Sequence, residues 1–175
     1  PPSDHRRRWA RPTRDAMPPS KKARTDGEAA FAKMEDVATQ YVAWDTNAET
    51  RKAIQDLIDA KDGAALAKAL GSRLEFGTAG LRGPMEAGYN AMNELTVVQA
   101  TQGLAVYLER VFGDAAAKGG VAIGWDHRAN GSLNSERFGL LAAEVLLRRG
   151  FRVELLPGLV HTPMVSFCVA RKACK

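Results

Sequence analysis

The sequence predicts an α/β protein with a helical segment in front of it. Three observations carry that expectation. Between Val121 and Leu156 a short apolar run, an amphipathic stretch and a second apolar run follow one another with tight connections, the pattern of a βαβ unit. Apolar residues between Glu28 and Leu70 recur at helical spacing. The chain has 175 residues, of which 45% are hydrophobic and 26% charged, enough for one modest domain with its own core.

Residues 1–27 are different in kind. They hold eight basic residues, among them Arg6, Arg7 and Arg8, against Asp4, Asp15 and Asp26. The net charge of +5 is confined to this stretch, because the rest balances at 17 basic and 17 acidic residues. A folded part without bulk basicity argues against a nucleic-acid partner. Arg and Pro without apolar anchors predict a disordered basic tail, or a leader ahead of Met17; "PPSKKARTD" reads as a solvated tail or as a short nuclear signal. No apolar run approaches the ~18 residues of a membrane span. Cys168 and Cys174 match neither a zinc spacing nor a disulfide framework, so a reducing, cytoplasmic setting is expected.

Residues 28–72 are expected to form a helical segment. Phe31, Met34, Ala38, Tyr41 and Trp44 share one face of its first helix. Thr46 and Glu49 read as the capping box of a second helix that stops at Gly63, and "AALAKAL" is a third that ends at Gly71. An α/β domain is expected over 73–175. In it Asn93 caps a helix whose inner face is Val97, Thr101, Leu104 and Leu108, with Gly113 after its end. "VAIGW" is a strand, and Ser135 opens a helix that Gly150 follows. "RVELL" is a second strand, parallel to the first through a right-handed crossover. "PGLVHTP" reads as a turn, with Thr162 and Pro163 opening the last helix. Two strands do not make a parallel sheet covered on both faces, so the domain is expected to be incomplete.

At the start of the α/β part lies "LEFGTAGLRGPMEAGYNAMN", where Gly77, Gly80 and Gly83 surround Arg82. Glycines let a backbone approach a ligand and turn its amides toward one point, Thr78 adds a hydroxyl, and Arg82 adds a fork suited to phosphate. That reads as a phosphate-binding loop. The spacing is neither a dinucleotide fingerprint nor a Walker A, and on spacing alone a structural connection reads as well. Asp126, His127 and Arg128 follow the first strand at the end where α/β sites gather. Asp126 capping a turn and Arg128 pairing with a local carboxylate is the competing reading.

The residues as written also resemble a known family. "FGTAGLRG" is similar to the amino-terminal signature of the α-D-phosphohexomutases. "MNELTVVQATQGLAVYLE" and "WDTNAETRKAI" resemble the branch of type 2 phosphoglucomutases and phosphopentomutases. "GWDHR" and "HTPMVSF" resemble the family's strand-end Asp-x-Arg and Thr-Pro segments. The resemblance runs from about Tyr41 to the end of the chain.

It implies a partial phosphohexomutase domain I and a mutase that moves a phosphoryl group through a phosphoserine and a bisphosphate intermediate. Arg82, Thr78, Gly80 and Arg128 then contact phosphate or substrate. The phosphoserine segment and the Asp-rich loop that binds magnesium are expected beyond Lys175, and Ser132, Ser135 and Ser166 stand in the wrong context to replace the nucleophile. This stretch alone is therefore expected to be inactive, with glucose 1,6-bisphosphate the activator and sugar phosphates the partners of the whole monomeric enzyme. A non-catalytic phosphate-binding module is the alternative.

Overall fold

The computed structural model describes residues 21–78, 80–172 and 174. Residues 1–20, most of the expected tail, lie outside the described residues. The remainder of that tail is helical, because α1 spans Lys21–Trp44 and so begins before Glu28. Lys21, Lys22, Ala23 and Arg24 all favour a helix, and Gly27 costs only about 1 kcal/mol within it.

Three helices form the segment in front. Ala38 and Tyr41 of α1 are fully buried, as expected, while Trp44 is 48% exposed. The chain leaves the helix there, and Asp45 turns inward in its place, held by the Thr50 hydroxyl at 2.6 Å and the Asn47 amide at 3.1 Å. Helix α2 spans Ala48–Asp59 and is capped by Asn47, whose side chain accepts from the amides of Glu49 and Thr50. The expected Thr46–Glu49 box is thus replaced one residue on by the Asn47 cap. Lys61, with φ 51°, makes a left-handed turn after α2, two residues before the expected stop at Gly63. Gly63 instead opens α3 (Gly63–Leu70), where a Cβ would run into the backbone of Phe31. Glycine there is a close-packing requirement, not a stop.

Two residues each of β1 (Phe76–Gly77) and β2 (Gly80–Leu81) form a small antiparallel hairpin. Helix α4 (Glu94–Phe112) follows, with a complete capping box between Asn93 and Thr96. Its buried face is Thr101, Ala105 and Leu108; Leu104 is 45% exposed, because Ala105 takes the inward position against the neighbouring helices. A short helix that the sequence reading omitted, α5 (Asp114–Gly119), leads into strand β3 (Val121–Trp125). A second small hairpin, β4 (Ala129–Asn130) with β5 (Leu133–Asn134), then precedes α6 (Ser135–Arg148).

Strand β6 (Val153–Leu159) pairs with β3 in parallel, Val121 opposite Val153 and Ile123 opposite Leu155. The expected βαβ unit is present. The expected turn at Pro157 is instead a bulge inside β6: Ile123 and Trp125 face Leu155 and Leu159, so the two spacings do not match. Proline has no amide to donate, and a bulge removes the need for one. Helix α7 (Thr162–Lys172) follows.

Alternation along β3 produces the layers. Ile123 and Trp125 meet Gly139 of α6, and Gly124 meets Val165 of α7. Helices therefore cover both faces, with α4, α5 and α6 closing one core around Leu108, Leu146 and Phe151. A second core joins α1–α3 to Tyr89 and Leu95. The fold is α/β, with parallel pairing, flanking helices and a helical segment in front.

Candidate functional site

A cavity of about 360 Å³ opens at the carboxyl end of β3, lined by Trp125, Asp126, Arg128, Ser135, Thr162 and Val165 among others. The topology explains its position: β3 and β6 both run out here, the amide of Val160 donates to the carbonyl of Trp125 at 2.8 Å, and α6 and α7 both begin beside it. Parallel strands that end together leave such a crevice.

Asp126 organises the cavity's polar side. Its Oδ1 accepts from the Ser135 hydroxyl at 2.7 Å and from the Arg128 amide at 3.1 Å. Its Oδ2 accepts from Arg128 Nε at 2.7 Å. The Ser135 hydroxyl first, and the Arg128 amide next, hold the Asp126 carboxyl below its ordinary range. The local pairing weighed from the sequence is therefore real. It uses only one edge of the guanidinium, and the Arg128 side chain remains 72% exposed. Among the described residues its two Nη nitrogens carry no hydrogen bond, which leaves a charged fork oriented by Asp126.

Arg82, Thr78 and Gly80 stand apart from this cavity. Thr78 is exposed in the tip of the β1–β2 hairpin, and Arg82 is exposed just after it. Among the described residues Arg82 has no hydrogen-bond or ion-pair partner. Of the three glycines only Gly80 has positive φ, at 95°, which is what a hairpin this tight demands. Gly83 serves space, since a Cβ there would lie 2.8 Å from a Leu74 methyl. Ala79, between Thr78 and Gly80, lies outside the described residues. Asn130 Nδ2 donates to the carbonyl of Met85, three residues after Arg82, at 2.7 Å and so ties the two loops together.

Sequence reasoning missed other polar residues, most of them because their partners are far away in the chain. Ser135 was read as a helix start and is also the main partner of Asp126. Asn47 donates from Nδ2 to Glu94 at 3.0 Å and accepts from the Ser132 hydroxyl at 3.1 Å. Glu49 accepts from the Ser132 amide at 2.6 Å, and Arg137 approaches Glu94 at 3.5 Å. Only a surplus of Asn, Glu and Ser at helix starts hinted at them.

Among the described residues no group of three or more His, Cys, Asp or Glu is placed to hold a metal ion. Nor is any described helix long and apolar enough to cross a membrane.

Comparison with known proteins gives a consistent result. The family described as phosphoglucomutase/phosphomannomutase, alpha/beta/alpha domain I, matches residues 73–175. The chain is 41% identical to a phosphopentomutase of Pongo abelii over 146 residues, which cover 82% of this chain and 24% of that protein. It is 41% identical over 136 residues to a probable phosphoribomutase of Schizosaccharomyces pombe, covering 78% and 22%. A glucose 1,6-bisphosphate synthase of Mus musculus is 41% identical over 132 residues, covering 74% and 21%. The chain thus spans about a quarter of the length of the curated relatives it matches. No solved structure matches it significantly.

Proposed function

As the chain belongs to the phosphoglucomutase/phosphomannomutase family through its α/β/α domain I, we propose that it is the amino-terminal part of a sugar-phosphate mutase. The whole enzyme moves a phosphoryl group between the C1 and C5 hydroxyls of a pentose, or C1 and C6 of a hexose. A phosphoserine carries the group through a bisphosphate intermediate. The relatives named for pentose and ribose phosphates make the pentose the first substrate to test.

The observation that carries the reading is the Asp126–Arg128 pair at the cavity where β3 ends, with Arg82 exposed and unpaired among the described residues on the neighbouring loop. Phosphoryl transfer spreads negative charge over equatorial oxygens, and catalysis is largely positioning and electrostatic stabilisation. Arg128, already fixed by Asp126, loses little freedom when its open edge meets a phosphate. Arg82 stands exposed directly after the β1–β2 hairpin. Magnesium, with ligands beyond Lys175, and glucose 1,6-bisphosphate as activator belong to this proposal.

The test is conversion of ribose 1-phosphate and glucose 1-phosphate by the complete protein, with magnesium and a bisphosphate primer. Turnover of either is expected in the complete protein, and none in residues 1–175 alone. A complete protein inactive on both sugars would contradict the reading.

A further inference from the structure

The loop that carries Arg128 is held from outside its own domain. Strands β4 and β5 are two residues each, and so short a hairpin has little stability of its own. Its turn is Gly131 and Ser132. Glu49, 83 residues earlier on α2, places Oε2 2.6 Å from the Ser132 amide. Gly131 has φ 58°, which favours glycine, and a Cβ on it would stand 2.7 Å from the same oxygen, so the carboxylate would have to shift. Asn47 takes the Ser132 hydroxyl and is itself anchored to buried Glu94. At the other end the amide of Ser135 donates to the carbonyl of Arg128 at 3.0 Å, and Ala129 pairs with Asn134. Tip and base are both fixed, and Arg128 stands at the base. The matched family domain begins at residue 73, so the clamp at the tip comes from the helical segment in front.

We propose that Glu49 is a positioning residue for Arg128: its carboxylate clamps the tip of the 129–134 hairpin and so fixes where the guanidinium meets a phosphate. The ligand's identity rests on the mutase reading; the clamp itself does not. Hydrogen bonding from Ser132 also holds the Glu49 carboxyl below its ordinary range; the Ser132 hydroxyl donates to Asn47 and its amide to Glu49.

The experiment compares the ¹⁵N-labelled 175-residue chain with Glu49→Ala and Glu49→Gln. Glu49→Ala is expected to raise amide exchange about 10-fold or more at both Ser132 and Arg128, with Ile54 and Leu146 unchanged. The Arg128 Nε–H resonance should move toward that of a free arginine. Glu49→Gln keeps an acceptor oxygen and should restore both signals by at least half. Inorganic phosphate, titrated into the three proteins, should bind Glu49→Ala several-fold more weakly and Glu49→Gln nearly as the parent. If Ile54 and Leu146 also lose protection, the decision passes to Gly131→Ala, which crowds the carboxylate out and must produce the same change at Arg128. A change confined to Ser132, or no recovery in Glu49→Gln, overturns the proposal. Failure of the parent chain to bind phosphate counts against the mutase reading alone, because the exchange and Nε–H signals still decide the clamp.

Discussion

Arg82 and Arg128 do different work at the proposed phosphate site. Arg128 is oriented by Asp126 before any ligand arrives, whereas Arg82 is unpaired among the described residues. Replacing Arg82 with lysine keeps the charge and loses the two-pronged contact. In the complete enzyme Arg82→Lys should cost about 1–3 kcal/mol of transition-state stabilisation, read as a fall in kcat/KM. Unchanged kcat/KM in both Arg82→Lys and Arg82→Ala would remove Arg82 from the site. Asp126 gives a second prediction. Its carboxyl titrates lower in the folded chain than unfolded, so its stabilising contribution is complete above the ordinary aspartate value of about 3.9 and fades as pH falls through the lowered folded value. Asp126→Asn should therefore lower stability at neutral pH, and the difference from the parent should close in acid. Urea melts across roughly pH 6 to 2 measure this, and a constant difference would contradict it. Arg82 and Arg128 were legible as candidates because their residue types and loops are local features. Glu49 and Asn47 were not, because their partners lie 83 and 85 residues away.

At the level of elements, the hydrophobic period located every long helix among the described residues and both β3 and β6. It misplaced details that depend on packing. Leu104 and Ala105 are adjacent on α4, and which of them turns inward is decided by α6, not by spacing. Thr46 and Asn47 are both good caps, and the choice follows from where Asp45 is buried. Asn93 shows what such a residue can support. It is fully buried, caps α4 through Thr96, and donates from Nδ2 to the carbonyls of Glu86 and Gly88 at 2.9 and 2.7 Å. One side chain thus holds both the helix and the loop that leads to it. Asn93→Ala should cost about 2–4 kcal/mol, the loss of a cap plus stranded buried carbonyls. Denaturant unfolding measures it, and a loss under 1 kcal/mol would show that the loop finds other partners.

Across the whole molecule, the helical segment and the α/β part share a core. Tyr41 packs edge-on against Tyr89 with ring centroids 5.2 Å apart, and its hydroxyl accepts from the Gly88 amide at 3.1 Å. Burial pushes the Tyr41 hydroxyl's pKa well up, so it stays neutral. Removing residues 1–72 would expose Tyr89 and Leu95 and free the Ser132 turn. Residues 73–175 alone should melt several degrees below the parent chain, by calorimetry. An equal melting temperature would mean that the two parts are energetically separate. Titrating glucose 1,6-bisphosphate into the ¹⁵N-labelled chain probes the phosphate site itself. Amide shifts are expected to concentrate at Gly77, Gly80 and Arg82 and at Asp126–Arg128, with α1–α3 largely silent. Shifts that spare both loops at saturating ligand would contradict the account.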